Sequence, residues 1–212
     1  MQLAAAVAEY DRFRAGIFRR RDGLAFEGKL ALAFSMAVLT GLLAQVRVYL
    51  PWTPVPLTGQ VLAVLLSGVV LGGRFGALSQ VLYISLGVAG VPWFNGSSAG
   101  PAVLFGPTGG YLLGFIPAAY AMGRTVDSCP PARSFPGNVP SMAVVTLLCI
   151  YLPGLAGLAF WHHAATGGFP DPLRLLVIGA LPFMPGESLK ILLAGLGGRI
   201  LGPPSAFPQS GK

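Results

Sequence analysis

The chain has 212 residues, of which 54% are hydrophobic and 10% are charged, and its mean hydropathy is +0.70. A soluble domain carries about 25% charged residues, so this composition excludes an ordinary soluble domain and favours membrane-spanning helices. The net charge of +7 does not indicate nucleic-acid binding, because the basic residues form no stripe interleaved with aromatic side chains.

The first 28 residues form a basic segment with five arginines between positions 12 and 21. The apolar stretch that follows is too long for the core of a secretory signal, and no small-residue cleavage site follows at the right place. We interpret residues 1–28 as a basic cytoplasmic tail. The alternative for part of it is a short amphipathic helix at Ala4–Phe18 on the membrane surface. Residues 203–212 are interpreted as a second cytoplasmic tail, which leaves 29–202 as the membrane domain.

Six apolar segments are candidates for membrane-spanning helices, each of which needs roughly 20 predominantly apolar residues. Prolines and glycines separate them. The Pro51–Pro56 cluster ends the first, Gly72–Gly73 closes the second, and Pro182 and Pro185–Gly186 interrupt the sixth. We therefore predict an all-α, polytopic membrane protein. Its six helices are predicted at Leu30–Leu50, Leu57–Leu71, Phe75–Val91, Gly109–Met122, Val139–Trp161 and Leu173–Leu201.

The distribution of lysine and arginine predicts the orientation, because cytoplasmic loops carry an excess of both. With six helices the two termini share one side, which would hold 11 of the 14 basic residues. Five or seven helices would not segregate the charge in this way. Both termini are therefore predicted to be cytoplasmic, in the cell (plasma) membrane. The 11 residues are Arg12, Arg14, Arg19, Arg20, Arg21, Lys29, Arg74, Arg124, Arg133, Arg199 and Lys212.

Two loops differ in character. Val91–Gly110, predicted to face outward, has no charge, several glycines and several large apolar side chains. Such a segment is expected to fold back over the protein as a lid or to line a cavity. Thr125–Asn138 is polar, charged and rich in proline, and we predict an exposed cytoplasmic linker there.

Glu187 and Lys190 are the main candidates for a ligand site. They lie three residues apart in an apolar span, so they share one helix face. A charge inside the membrane costs at least about 2.5 kcal/mol, and such residues usually face a polar cavity. The broken helix just before Glu187 would leave backbone groups free for a polar ligand. The alternatives are a structural ion pair between two helices, or a Lys190 side chain that reaches the membrane interface.

Five further polar residues are placed by the topology in the outer half of the membrane. Each of them could be a helix cap or a loop stabiliser, but as a group they suggest a second part of a ligand site. They are Thr58, Gln60, Asn95, Thr108 and Tyr111.

The first helix carries small residues at a spacing of four, Ala33, Ala37 and Gly41. Such a strip lets another helix approach closely. From spacing alone, the approaching helix could belong to a partner protein or to this chain.

Catalytic and metal-binding motifs are missing from the sequence. No glycine-rich phosphate loop is present, so the chain has no ATPase site. The adjacent His162 and His163 point to different helix faces with no third metal ligand nearby, and an interfacial role is expected. Cys129 and Cys149 form no disulfide or metal pattern. We predict a protein that is not an enzyme and needs no cofactor.

Four segments closely resemble the BioY family, the biotin-binding S subunits of energy-coupling-factor (ECF) transporters. The resemblance covers about Leu30–Gly202. The four segments are Pro54–Gln60, Gly87–Phe94, Gly106–Phe115 and Pro182–Lys190.

The resemblance implies a biotin pocket near the outer face, covered by the loop after the third helix. It also implies partner subunits: a membrane-spanning coupling subunit, contacted by the first helix at Ala33 and Ala37, and ATP-binding subunits. At Glu187 the chain departs from the family pattern, which has aspartate, and the extra methylene moves the carboxylate about 1.5 Å further. The residues predicted to contact ligand are Thr58, Gln60, Phe94, Asn95, Thr108, Tyr111, Glu187 and Lys190.

We therefore predict high-affinity biotin capture for uptake. Three alternatives remain. The same scaffold could bind another small vitamin, the chain could be an intramembrane enzyme that uses Glu187 and the histidines, or it could be a structural membrane protein without a small-molecule ligand.

Overall fold

The computed structural model describes residues 9, 10, 12, 15 and 23–201. Within them, four helical stretches are long and apolar enough to cross a membrane, which confirms the prediction of an all-α membrane protein. Most of the predicted tails, 1–28 and 203–212, lies outside the described residues, as does most of the candidate amphipathic helix, and the first helix begins within the first tail at Phe26. The four stretches are Phe26–Gln45, Gln60–Val88, Phe135–Thr166 and Pro172–Leu201.

Helix α1 (Phe26–Gln45) ends earlier than the predicted boundary at Leu50. The chain leaves the helix because Arg47–Val48 (β1) pairs in antiparallel register with Leu57–Thr58 (β2). This short ribbon closes the proline-rich turn between α1 and α2. It thereby places Thr58 at the entrance of the next helix.

Helix α2 (Gln60–Val88) reverses direction at Gly72, whose φ of 77° is a left-handed value that favours glycine. The two halves lie side by side, since a Cβ added to Gly76 would lie 2.9 Å from the Gly68 Cα. Eight residues of straight helix would separate these positions by about 12 Å. The prediction of two helices with a turn at Gly72–Gly73 is therefore confirmed.

Helix α3 (Gly109–Ser128) is longer than predicted, and the prediction of an exposed linker at Thr125–Asn138 is wrong. A 3-10 turn at Pro130–Arg133 leads into α4 (Phe135–Val145). Arg133 is buried and donates to the carbonyls of Val126 and Asp127, at 2.8 and 3.0 Å. A cation that satisfies the last carbonyls of a helix stabilises its end. The segment is polar because it caps α3.

The fifth predicted helix consists of three pieces, α4, a π-helical segment at Thr146–Tyr151, and α5 (Leu152–Thr166). The π segment packs against α3, where a Cβ at Gly114 would overlap the Cys149 carbonyl. π-Helical turns inside α-helices occur frequently at functional sites.

The last span is broken as predicted at Pro182, between α6 (Pro172–Gly179) and α7 (Met184–Leu201). Pro182 has no N–H for the carbonyl four residues before it. The Thr53 hydroxyl donates to that carbonyl, on Ile178. The predicted second interruption at Pro185–Gly186 is absent, because both residues belong to the first turn of α7.

The buried core is centred on α2 and α3, and α1 packs against α2. Ala33, Ala37 and Gly41 are buried within this chain. A Cβ at Gly41 would lie 3.1 Å from the Trp93 Cβ, in the segment between α2 and α3. The partner interface at these three residues stays a prediction, since the structure describes this chain alone. They allow close packing inside the protein, which was the alternative.

Candidate ligand-binding site

One cavity is lined by all eight residues that the sequence predicted to contact ligand. Its volume, including the open mouth, is about 660 Å³. The predicted residues come from four parts of the chain: the start of α2, the segment between α2 and α3 (residues 89–108, here the cap loop), the start of α3, and α7.

Glu187 and Lys190 lie in the wall of this cavity, with exposures of 5% and 9%. Lys190 donates to the Oε1 of Glu187 and, at 2.9 Å, to the backbone carbonyl of Thr58. The second carboxylate oxygen, Oε2, is buried and makes no hydrogen bond of standard geometry within the described part of the chain, although the Tyr151 hydroxyl lies beside the same carboxylate. A buried carboxylate oxygen without a donor is costly. The cavity thus holds a strong acceptor that a ligand can satisfy.

A chain of hydrogen bonds starts at the side-chain hydroxyl of Thr58, whose backbone carbonyl is bonded to Lys190. The Thr58 hydroxyl donates to the Gln60 Oε1 at 2.8 Å, and the Gln60 Nε2 donates to the Tyr83 hydroxyl at 2.8 Å. Gln60 lines the cavity, and Tyr83 lies behind it with no exposed surface. Because both polar atoms of the Gln60 side chain are already hydrogen-bonded, the orientation of its amide in the cavity wall is defined.

The cap loop covers the cavity and is seated on α2. The Phe94 ring is fully buried, packs edge-on against Tyr83 with centroids 5.4 Å apart, and occupies the space beside Gly87. A side chain at Gly87 would overlap that ring. Asn95 accepts a hydrogen bond from the Tyr49 hydroxyl at 3.3 Å, and its side chain also lines the cavity.

Gln45, at the end of α1, joins the cap loop to the body of the protein. Its Nε2 donates to the carbonyls of Trp93 and Phe94, both at 3.1 Å. Its Oε1 accepts from the Ser97 backbone N–H at 3.2 Å. The Gln45 amide thus acts as both donor and acceptor, and these bonds hold the cap loop over the site.

The wall opposite the cap loop is largely aromatic and was only partly predicted. Tyr111 donates to the Gly179 carbonyl at 2.7 Å, a group released by the break in the last span. Tyr111 also packs edge-on against Tyr151, with centroids 5.8 Å apart. Tyr151 and Ile150, both from the π segment, also line the cavity and were not predicted from the sequence. Such residues in an apolar run resemble ordinary core, and no sequence signal distinguishes them.

The candidates for catalysis lie elsewhere. His162 and His163 are at the exposed end of α5, where His163 stacks on Phe169 with centroids 4.3 Å apart. Neither histidine lines the cavity. Within the described residues, no group of three or more His, Cys, Asp or Glu side chains could hold a metal ion. The cavity has the character of a binding site, with one ion pair, two amide side chains, several hydroxyl groups and otherwise apolar walls.

Fold and site together define a polytopic helical membrane protein with a small-molecule cavity beneath a loop. A profile of the BioY family matches residues 20–202. The chain belongs to the BioY family.

Related proteins match the chain in sequence, and a solved structure matches it in fold. A probable biotin transporter BioY of Methanothermobacter thermautotrophicus is 46% identical over 144 residues, 68% of this chain and 92% of that protein. The biotin transporter BioY of Rhodobacter capsulatus is 34% identical over 189 residues, 82% of this chain and 97% of that protein. The crystal structure of the S-component for biotin from an ECF-type ABC transporter superposes with a TM-score of 0.74 and 20% identity, over 84% of this chain and 94% of that one. That likeness shows a shared fold.

Proposed function

We propose that this protein binds biotin and serves as the substrate-binding S component of an ECF-type transporter for biotin uptake. The unsatisfied Oε2 of Glu187, buried in the wall of a partly apolar cavity, carries the proposal. The names of the relatives support the choice of ligand.

The cavity suits the chemistry of biotin. The ureido ring of biotin carries two N–H donors and one carbonyl acceptor, and a carboxylate and an amide offer the complementary groups. The aromatic and aliphatic walls, which include Phe115 and Phe183, can cover the thiophane ring and the aliphatic tail. Lys190 holds Glu187 in place by donating a hydrogen bond to its Oε1.

Membrane placement and energy coupling are part of the proposal. We expect six spans, with the two halves of α2 counted separately and α3 included, and both termini in the cytoplasm. In support, the basic residues near the Gly72 turn, such as Arg124, lie at one end of the bundle. Arg47 lies at the other end, beside Gly96 of the cap loop. A coupling subunit and ATP-binding subunits would supply the energy for uptake, and this chain itself catalyses no reaction.

Calorimetry with biotin on the detergent-purified chain tests the ligand. The Glu187→Gln variant keeps the side-chain shape but weakens the acceptor, and we expect affinity about 10- to 100-fold lower, as for a hydrogen bond to a charged group. Ser188→Ala is the matched control, since Ser188 is exposed and bonds only to the Met184 carbonyl of its own helix.

Three outcomes separate the possibilities. Tight binding that Glu187→Gln weakens and Ser188→Ala preserves supports both ligand and site. Tight binding that is insensitive to Glu187 keeps the ligand and refutes the site. If well-folded protein does not bind biotin, the biotin proposal fails, and competition among other vitamins becomes the next measurement.

A further inference from the structure

Tyr83 is a fully buried residue next to the site, and it does not line the cavity itself. Its side chain has no exposed surface, yet its hydroxyl is bonded on two sides. On one side it accepts from the Gln60 Nε2 at 2.8 Å, and on the other it donates to the backbone carbonyl of Trp93 at 3.4 Å. Gln60 faces the ligand cavity, and Trp93 belongs to the cap loop.

The direction of these bonds follows from the chemistry of the last acceptor. The Trp93 carbonyl can only accept, so a Tyr83 hydroxyl that bonds to it must donate its single proton there. The hydroxyl then accepts from Gln60, which directs the NH₂ group of the amide towards Tyr83. The Gln60 Oε1 consequently points to Thr58, whose hydroxyl donates to it. The position of the cap loop thus determines which way the Gln60 amide is turned.

The link between Tyr83 and the cap loop has further contacts. The Trp93 indole Nε1 donates to the Tyr83 carbonyl at 3.0 Å. The Tyr83 ring also packs against the rings of Trp93 and Phe94, with both centroids 5.4 Å away. The 3.4 Å bond is long for a hydroxyl donor, so these other contacts hold the loop near enough for it to form.

We propose that Tyr83 is a positioning residue that joins the cap loop to the Gln60 amide, so that closing the loop turns the amide for the ligand. Its effect on ligand binding rests on the proposed function, whereas its effect on the loop does not. When the loop opens, the hydroxyl loses its acceptor and the amide can rotate. When the loop closes over ligand, the hydrogen bonds from Thr58 to Trp93 form together and strengthen one another.

The test compares wild type with Tyr83→Phe, which keeps the ring packing and removes only the hydroxyl. The first readout is amide hydrogen–deuterium exchange of residues 91–100 in ligand-free protein, which we expect to be faster in the variant. The second is biotin dissociation from purified protein, expected to be about five- to tenfold faster with little change in the association rate. The third is the protection that biotin confers on the loop amides, expected to be smaller in the variant.

Tyr120→Phe is the matched control, because Tyr120 is exposed on the outer surface of α3 and does not line the cavity. It should leave all three readouts unchanged. If Tyr83→Phe does not fold, Trp93→Phe replaces it. That change removes the indole donor, and it should accelerate loop exchange and biotin dissociation in the same direction.

The two proposals fail in distinguishable ways. If wild type binds biotin and Tyr83→Phe matches it in loop exchange and dissociation, the role of Tyr83 is refuted and the proposed function stands. If wild type does not bind biotin but the variant still accelerates loop exchange, the link to the loop is supported and the proposed function fails.

Discussion

Lys190 donates to Glu187 one helical turn before it, and both side chains are buried in the wall of one cavity. The lysine also holds the Thr58 carbonyl, so α7 is tied to the start of α2. The proposed function assigns the other carboxylate oxygen of Glu187 to the ligand. The link between two elements, which the sequence left open as an alternative, is present in the structure through Lys190.

Removing the cation alone should destabilise the protein. Lys190→Met leaves the Glu187 carboxylate buried without its partner, and breaking a buried ion pair costs about 3–5 kcal/mol. We expect a clear fall in the thermal unfolding temperature and weaker biotin binding, measured by a thermal shift assay and by calorimetry.

The double variant Glu187→Gln/Lys190→Met separates these two effects. It buries no unpaired charge, so we expect much of the lost stability to return while biotin binding remains weak. Equal unfolding temperatures for Lys190→Met and wild type would contradict a stabilising pair.

The packing of the cap loop against α2 can be tested at Gly87. In Gly87→Ala the new methyl group overlaps the Phe94 ring, and the ring must leave its buried position. We expect biotin affinity to fall about 5- to 150-fold, since displacing a packed side chain costs about 1–3 kcal/mol. Gly168→Ala adds the same methyl group in open space, with nothing within 4 Å, and should bind as wild type does. Unchanged biotin affinity in both variants would refute a role of the Phe94–Gly87 contact in ligand binding.

The break in the last span should depend on a side chain that replaces a helix hydrogen bond. In Thr53→Val the Ile178 carbonyl loses its donor, and we expect a loss of about 1 kcal/mol in the free energy of unfolding. Thr125→Val is the control, because that hydroxyl bonds to a carbonyl of its own helix, on Ala121. If both variants lose the same stability in SDS unfolding, the hydroxyl of Thr53 has no special role.

Orientation in the membrane can be read from cysteine labelling. In a Cys149→Ser background, the exposed Cys129 lies at the end predicted to be cytoplasmic. We expect it to react with a membrane-impermeant maleimide only after the cells are permeabilised. A cysteine introduced at the exposed Gly168, in a background that also carries Cys129→Ser, should react in intact cells. The reverse pattern would invert the proposed topology.

Much of the fold follows from local properties of the chain. Apolar segments predict helices because backbone polar groups in lipid must be satisfied within the segment. The turn at Gly72 and the break at Pro182 are recognisable because a free φ and a missing N–H are properties of single residues. The helix ends were less accurate. Arg133 reads as part of a polar linker, but it caps α3 from a neighbouring turn.

Contacts between distant residues were decided only by the tertiary structure. Lys190 meets a carbonyl 132 positions away, and no local pattern specifies that Glu187 lies at the same depth as Gln60. The strip at Ala33 could face a partner or its own chain. Its spacing indicates that some helix packs closely there, but it does not specify which one. Tyr83 looks like any aromatic residue in an apolar helix. The sequence by itself determined which segments are helical and where they bend, since those are local energies. Which polar atoms pair with one another depends on how the helices pack, and only the tertiary structure determines that packing.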